Sequence, residues 1–375
     1  MEKFFSNKNR NKKIIIFLMI ILFVLIIFLA YQAYFELNKN LETSETDALD
    51  LIDQRMQTVF LEINNFPGDA SNDILFSSRL SCFNNLFNLE SSDSMKEDIE
   101  NNFIAFLKQS SAYYQIRYID ESGRVIVGAD FDGINYKIIN EKDLKEERFK
   151  DYFNQVIDLN REEVFISKLD LNIKNREIEN RGTKDKPKYV PVIRYATPVF
   201  NKQGDSRGVI ISNIYADYFL EDIRRSQREG ELTFLINNEG YYLAHPDKTK
   251  EFSFMFNDKK DNFKNDYIIN SENILTDCSK RRTENNNLIF TYRCIYPRAG
   301  SFEIHEGSKK LLEGNNGDYH WILVTVTDKK GIEKPLKDFK IKYIWIGLFY
   351  FVIILIITVL VGLIYSNNLT STKSH

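Results

Sequence analysis

The chain has 375 residues, of which 43% are apolar and 14% aromatic, enough for a packed core in two or three domains and too many for a disordered protein. Its net charge of -3 conceals an asymmetry, because residues 1–13 hold Lys3, Lys8, Arg10, Lys12 and Lys13 against Glu2 and leave the body acidic. One basic end on an acidic body excludes a nucleic-acid binder, whose basic groups are spread along a contact face.

The basic end precedes Ile14 to Ala30, 17 residues without a polar side chain. Cleavage after Ala30 or Ala33 would leave Phe28 or Tyr31 where a signal peptidase takes a small residue, so the run reads as an uncleaved anchor over residues 14–34. Five basic side chains in front of it place residues 1–13 in the cytoplasm and the body outside. Ala48, Leu49, Ile52, Met56, Val59, Phe60 and Ile63 then recur on one helical face, which predicts a long stalk helix. Further helices are predicted at about Ile74 to Leu89 and Met95 to Gln109.

The periodicity changes at "YYQIRYIDESGRVIVGAD", a hairpin turning at Asp120 to Gly123. "FKDYFNQVI" reads as a short helix and "EEVFISKLDL" as a strand. Val190 to Phe200 and Val209 to Tyr215 form a second hairpin, followed by a helix from Ala216 to Arg225. The pattern restarts at Glu231 with a hairpin turning at Asn237 to Gly240, then strands at Leu288 to Tyr296 and His320 to Thr327, with "DCSKRRTENNN" as an exposed loop. Pro335 lies near a helix start, and that helix feeds a second apolar run, Tyr343 to Tyr365, 23 residues or about 34 Å of helix.

The expected architecture is α+β: two stacked modules with antiparallel sheets, over residues 35–228 and 229–342, on a long N-terminal helix and flanked by two transmembrane helices, 14–34 and 343–365. Both termini, 1–13 and 366–375, are expected in the cytoplasm and residues 35–342 outside the cell membrane. The segment after Tyr365 is too short for a kinase, cyclase or methyl-accepting module. The chain is therefore expected either to lack an output domain of its own and work through a separate signalling protein or as a homodimer, or to be a truncated receptor.

Outside the membrane a disulfide is permitted, and Cys278 and Cys294 lie 16 positions apart, which suits one bridge across a loop. Cys82, in a helical apolar context, is expected to be a buried free thiol. The four histidines are scattered, no grouping has metal-ligand spacing, and neither a phosphate loop nor a nucleophile elbow is present, so no enzyme activity, metal or cofactor is expected. His245 in "AHPDK" reads as a turn residue.

The stretches "YYQIRYIDESGRVIVGAD", "RFKDYF", "VFISKLDLN", "YVPVIRYATPVF", "GVIISNIYADYF" and "FLINNEGYYLAHPD" together resemble the double Cache extracytoplasmic sensor domains of bacterial and archaeal histidine kinases, chemoreceptors and diguanylate cyclases. The resemblance implies that the two modules are PAS-like and stacked on one long N-terminal helix, the membrane-distal one holding a small ligand. In amino-acid-binding members it also implies contacts from an Arg and aromatics, which align here with Arg148, Phe149 and Tyr152, and from an Asp whose position falls on Asn213. The family's Trp is missing and the acid has become an amide. An ammonium prefers a carboxylate, which argues against an α-amino acid and for a small polar or anionic ligand such as a carboxylate.

Arg194 interrupts an apolar strand and needs solvent, a carboxylate partner or an anionic ligand, because desolvating a guanidinium costs several kcal/mol. Arg194, Tyr195, Asn213 and Tyr215 are expected to floor a small cavity, closed by Arg148, Phe149 and Tyr152, with Tyr114 and Arg117 completing it. The leading functional expectation is a membrane-anchored small-molecule sensor. The alternative is a ligand-independent ectodomain that docks a periplasmic or surface protein.

Overall fold

The computed structural model describes residues 2–88, 93–144, 146–148, 151–174, 176–256, 260–268, 271–285, 287–297 and 319–371. The chain divides into one unit from Gln54 to Thr327 and a second made of Met1–Asp53 with Asp328–His375.

Helix α1 (Glu2–Ser78) contains the predicted stalk, and its Met56, Ile63, Ala70 and Ile74 form the buried stripe that the periodicity requires. The helix predicted from Ile74 to Leu89 is broken. At Arg79 and Leu80 the backbone N–H groups donate to Phe76 and Ser77, three residues back, and the Ser77 and Ser78 hydroxyls donate to the carbonyls of Asp73 and Leu75. Serines bonding back in this way compete with the helix ladder. Helix α2 (Ser81–Asn88) restarts beyond the break and carries the buried free thiol of Cys82, followed by α3 (Asp93–Gln109).

The first module contains β1 (Tyr113–Asp120), β2 (Val125–Phe131), β3 (Tyr136–Ile138), α4 (Asp151–Ile157), β4 (Phe165–Ile166), β5 (Asp170–Leu171), the small hairpin β6 (Ile173–Lys174) and β7 (Glu177–Ile178), then β8 (Pro191–Phe200), β9 (Ser206–Tyr215) and α5 (Asp217–Arg225). Its sheet runs β3-β2-β1-β9-β8-β4, with β5 also on β8. The single strand predicted in "EEVFISKLDL" is split into β4 and β5. Ser167 lies between them, and its hydroxyl, rather than a ladder carbonyl, accepts the Arg194 N–H at 3.0 Å.

The second module contains β10 (Glu231–Asn237), β11 (Tyr242–Ala244), α6 (Phe263–Asp266), α7 (Ser271–Thr276), β12 (Arg282–Glu284), β13 (Leu288–Ile295) and β14 (Trp321–Asp328), in the order β11-β10-β14-β13-β12. Strand β12 lies inside the stretch predicted to be a loop. It is a short, polar edge strand paired with β13, and such strands lack the apolar alternation that periodicity detects. Apart from β3 and β5, both sheets place their strands second-first-fifth-fourth-third, so the restart at Glu231 is a repeat of topology. Even the opening turns match. The side chain of Asp120 accepts the N–H groups of Ser122 and Arg124, that of Asn237 accepts those of Glu239 and Tyr241, and Gly123 and Gly240 follow with φ of 87° and 92°.

One core joins the two modules. Ile63, Phe83 and Phe103 from the helices pack with Ile116, Tyr118, Ile193 and Ile210 of the first sheet, and Phe219 of α5 stacks on Trp321 of β14 at 5.6 Å. Arg55 of α1 pairs with Glu231 at the start of β10. The second module keeps a core of its own around Phe234, Phe263, Phe290 and Ile322.

Helix α8 (Lys329–Ser371) begins ahead of Pro335, which lies in its second turn, near the helix start. Among the described residues, Lys340–Leu360 is the one stretch long and apolar enough, by length and composition, to cross a membrane. The N-terminal apolar run is helical within α1, with Phe17, Phe23 and Phe28 exposed, and its role as a second span rests on the sequence.

Candidate functional site

Strand alternation gives the first sheet two unlike faces. Ile116, Tyr118, Ile193, Tyr195, Ile210 and Ile214 belong to the core shared with α1, α2 and α3. The other face is apolar at its two ends. Ile119, Ala196, Val209 and Ile211 pack with Phe153 and Val156 of α4 at one end, and Tyr114, Val190 and Val192 pack with Phe131 and Tyr215 at the other.

Between these patches the register sets four polar side chains in one row across β8, β9, β1 and β2: Arg194 opposite Asn213, Asn213 opposite Gln115, and Gln115 opposite Asp130. Asn213 donates to Gln115 Oε1 at 3.0 Å and to the Tyr114 hydroxyl at 3.3 Å, and Gln115 donates to Asp130 Oδ1 at 2.7 Å. The adjacent row pairs Ile211 with Arg117 and Arg117 with Gly128. A Cβ at Gly128 would lie 3.2 Å from Arg117 Cγ, so the missing side chain leaves room for the arginine stem.

Both arginines have acids beside them. Arg117 Nη1 donates to Glu147 Oε1 at 2.7 Å, and Glu147 also accepts the Tyr152 hydroxyl at 2.9 Å. Arg194 donates to Asp170 of β5 at 2.9 Å and to Asn172 at 3.4 Å. The two guanidinium groups therefore share the cluster with three carboxylates, those of Glu147, Asp170 and Asp130. Tyr215 stacks on Tyr114 at 4.1 Å, and the Arg181 guanidinium lies over the Tyr215 ring at 4.9 Å from its centroid. Two buried atoms of this cluster have no hydrogen-bond partner among the described residues: Arg117 Nε, a donor, and Asn213 Oδ1, an acceptor.

Burial weakens the acids of this cluster, because desolvation disfavours their charged forms. Asp130 sits above the ordinary carboxylate range because desolvation outweighs the hydrogen bond from Gln115 and the field of Arg117. Asp170 is raised by burial as well, against the opposing pull of Arg194. Burial pushes Tyr114 and Tyr152 upward, and both arginines act on both phenols in the opposite sense.

The structure thus brings together Tyr114, Arg117, Tyr152, Arg194, Asn213 and Tyr215 of the predicted set. Tyr195 does not join them, because it is adjacent to Arg194 in a strand and so faces the helices, fully buried. Arg148 is exposed, its Cβ region lying against Gly123, while its neighbour Glu147 turns inward. Phe149 lies outside the described residues. Gln115, Asp130, Glu147 and Asp170 were absent from the sequence reading. Gln115 and Asp130 could have been found by extending the Arg194 to Asn213 row across the sheet, whereas Glu147 and Asp170 carry no local signal.

Elsewhere in this unit, a cavity of about 550 Å³ opens between the end of α1 and the β8–β9 hairpin, lined by Arg79, Phe83, Arg161, Glu162, Phe200 and Lys202 among others. Its Arg79–Glu162 pair is more than half exposed on both sides, so it is a wet groove between surface elements and lacks the buried, unpartnered polar atoms of the Arg117 cluster. His245 is structural: its Nδ1 accepts the Asp247 N–H at 2.9 Å and its own N–H donates to Glu251 at 2.8 Å.

The family described as bacterial histidine kinase, sensor domain, matches residues 81–292. Among solved structures, a domain of a sensory box/GGDEF family protein from Vibrio parahaemolyticus is similar with a TM-score of 0.59 and 15% identity, over 78% of this chain and 99% of that one. The extracellular domain of the histidine kinase vpHK1S-Z8 gives 0.58 and 16%, over 79% and 95%. The ligand-binding domain of the Campylobacter jejuni chemoreceptor Tlp3, in complex with L-valine, gives 0.50 and 11%, over 78% and 97%. At such identities the likeness establishes the fold alone. Among curated proteins no sequence matches.

Proposed function

Because this chain belongs to the family of bacterial histidine kinase sensor domains, we propose that its first module is the input site of an extracytoplasmic receptor and takes a small zwitterion. The observation that carries this reading is the pair of buried, unpartnered atoms on adjacent rows of one sheet face, a donor at Arg117 and an acceptor at Asn213. Unmet polar groups of this kind cost about 1–3 kcal/mol each when buried, which a ligand offering both an acceptor and a donor recovers.

Charge decides between an anion and a zwitterion. The amide at Asn213, taken alone, favours an anion. Asp130, Glu147 and Asp170 supply the acids from other segments, so a carboxylate near Arg117 and Arg194 is balanced by an ammonium near Asp130. The Tlp3 domain in complex with L-valine is one fold relative with a ligand of that class. Tyr114, Tyr152 and Tyr215 supply the apolar walls, Arg148 lies at the rim, and Tyr195 is scaffold. In this reading residues 14–34 and 343–365 are two spans with both termini in the cytoplasm. Ligand binding shifts one spanning helix against the other, and a signalling partner or a second copy reads the shift. The ligand moves that equilibrium only by its differential affinity for the two states.

The test is thermal denaturation of the full chain in detergent with a panel of small amino acids, monocarboxylates and amines. A saturable upward shift with a zwitterion is expected, corresponding to about 2.7 kcal/mol at a hundred times Kd. If no member of the panel shifts the transition, the sensing assignment fails and the docking alternative takes its place.

The same site predicts a pH dependence. In the free protein Asp130 is raised above its unfolded value, so its contribution to stability is present at low pH and is lost as pH rises through the folded value. An ammonium ligand prefers the ionised form and expels the proton. Calorimetric titrations are therefore expected to show affinity falling as pH drops through the raised Asp130 value, with a shallower fall in Asp130→Asn, where Asp170 still titrates. A wild-type profile no steeper than that of the variant removes Asp130 from the site.

A further inference from the structure

In the second module the fold gathers three ligand atoms that lie far apart in sequence. Cys278 follows α7, Cys294 lies on β13, and His320 immediately precedes β14, the neighbour of β13 in the sheet. Cys278 and Cys294 are bridged, with Cα atoms 5.7 Å apart. Their two sulfurs and one ring nitrogen of His320 all lie within 4.8 Å of one another, and each of the three residues is half-buried. Among the described residues this is the one group of three His, Cys, Asp or Glu side chains with that geometry.

We propose that reduction of the Cys278–Cys294 bridge turns this corner into a site for one Zn²⁺ ion, held by the two thiolates and His320. Two thiolates and an imidazole are the donor set that suits this borderline-soft cation, with the fourth position left to water. The bridged form offers no anionic sulfur and cannot bind the ion. The reductant is a protein dithiol of the extracytoplasmic space. It gives two electrons and two protons to the bridge, the S–S bond breaks, two thiols form, and the dithiol closes its own disulfide. Zn²⁺ then displaces both thiol protons to solvent, and its charge is balanced by the two sulfurs.

The geometry requires little movement. Tetrahedral ligation at about 2.3 Å per sulfur sets the two sulfurs about 3.7 Å apart, and the imidazole at about 2.0–2.1 Å from the metal. Side-chain rotation covers the difference from atoms already within 4.8 Å. The two states also tie different parts of the chain. The bridge fastens the segment after α7 to β13 alone. The metal adds His320, and with it the entry to β14, the strand that continues in sequence into α8. Redox state and metal supply would thus reset a tie on the strand that precedes the C-terminal helix.

The experiment uses the full chain in detergent under argon, either oxidised or reduced with a phosphine, titrated with Co²⁺ as the spectroscopic stand-in for Zn²⁺. The reduced chain is expected to develop thiolate-to-cobalt charge-transfer and tetrahedral d–d bands that saturate at one ion per chain and vanish on adding Zn²⁺, and the oxidised chain neither. His320→Ala is expected to weaken Co²⁺ at least about tenfold, since even outer-sphere partners of metal ligands are worth that much. Cys82→Ser is expected to leave the bands unchanged. The idea is overturned if the reduced wild type shows no charge-transfer band, if Cys82→Ser removes it, or if His320→Ala binds as tightly as wild type. The comparison of reduced and oxidised wild type decides the matter even where a variant fails to fold.

Discussion

Arg224→Ala is expected to destabilise the unit from Gln54 to Thr327 by about 3–5 kcal/mol, the cost of removing one partner from a buried ion pair. Arg224, on α5 at the end of the first module, donates from Nε and Nη2 to the two oxygens of Glu251 in the second, both at 2.7 Å, and from Nη1 to Asp217 and Glu221 at 2.8 Å. Its side chain is 6% exposed and that of Glu251 7%. Even with the arginine in place, burial holds the Glu251 carboxyl above its ordinary value, so the charge left behind is costly. Glu251 also accepts the His245 N–H, and the variant thereby loosens the turn after β11. Urea denaturation of the full chain in detergent measures the loss. The replacement of both partners, Arg224→Met with Glu251→Leu, is expected to recover part of it, because no buried charge is then left unpaired: Asp217 and Glu221, 38% and 32% exposed, turn to water, and the His245 N–H alone loses its acceptor. A single variant within about 1 kcal/mol of wild type would show that this fork does not couple the modules.

Much of the fold was legible because its signals are local. The Asp120 and Asn237 turns, the alternation in β1, β9, β10 and β14, and the restart at Glu231 all depend on residues within a few positions of one another. The site was half legible for the same reason. Arg194 and Asn213 lie on a hairpin whose turn fixes their pairing, so both were read from one stretch. Glu147 in "KEERF" sits among charged neighbours and Asp170 in "SKLDLN" alternates with two leucines, so both look like solvated residues, yet tertiary packing turns them toward the arginines. Tyr195 is the reverse case. Alternation alone sets it opposite to Arg194, but grouping residues by how they interrupt apolar strands obscured the face each one occupies. The place of His320 beside Cys278 and Cys294 escaped because spacing along the chain carries no trace of β13 lying beside β14.

Arg194→Ala is expected to reduce zwitterion affinity by about 30-fold to more than a thousandfold, the range of about 2–5 kcal/mol found when one member of a buried charged contact is truncated. The fold should survive this change better than the loss of Arg224. Asp170, the partner of Arg194, is 32% exposed, and water can replace the guanidinium there, so the stability cost is expected near about 1 kcal/mol. Arg194→Lys retains the charge without the planar fork and is expected to fall between alanine and wild type. The adjacent residue supplies the control. Tyr195 is buried on the opposite face, and its hydroxyl has no partner among the described residues. Tyr195→Phe removes that unsatisfied group, so it is expected to leave ligand affinity unchanged and to hold or raise stability by up to about 1–3 kcal/mol. Calorimetric titration together with urea denaturation separates the two readouts. A Tyr195→Phe chain that loses more affinity than Arg194→Ala would place the ligand on the helix side of the sheet and remove the Arg117, Arg194 and Asn213 face from the site.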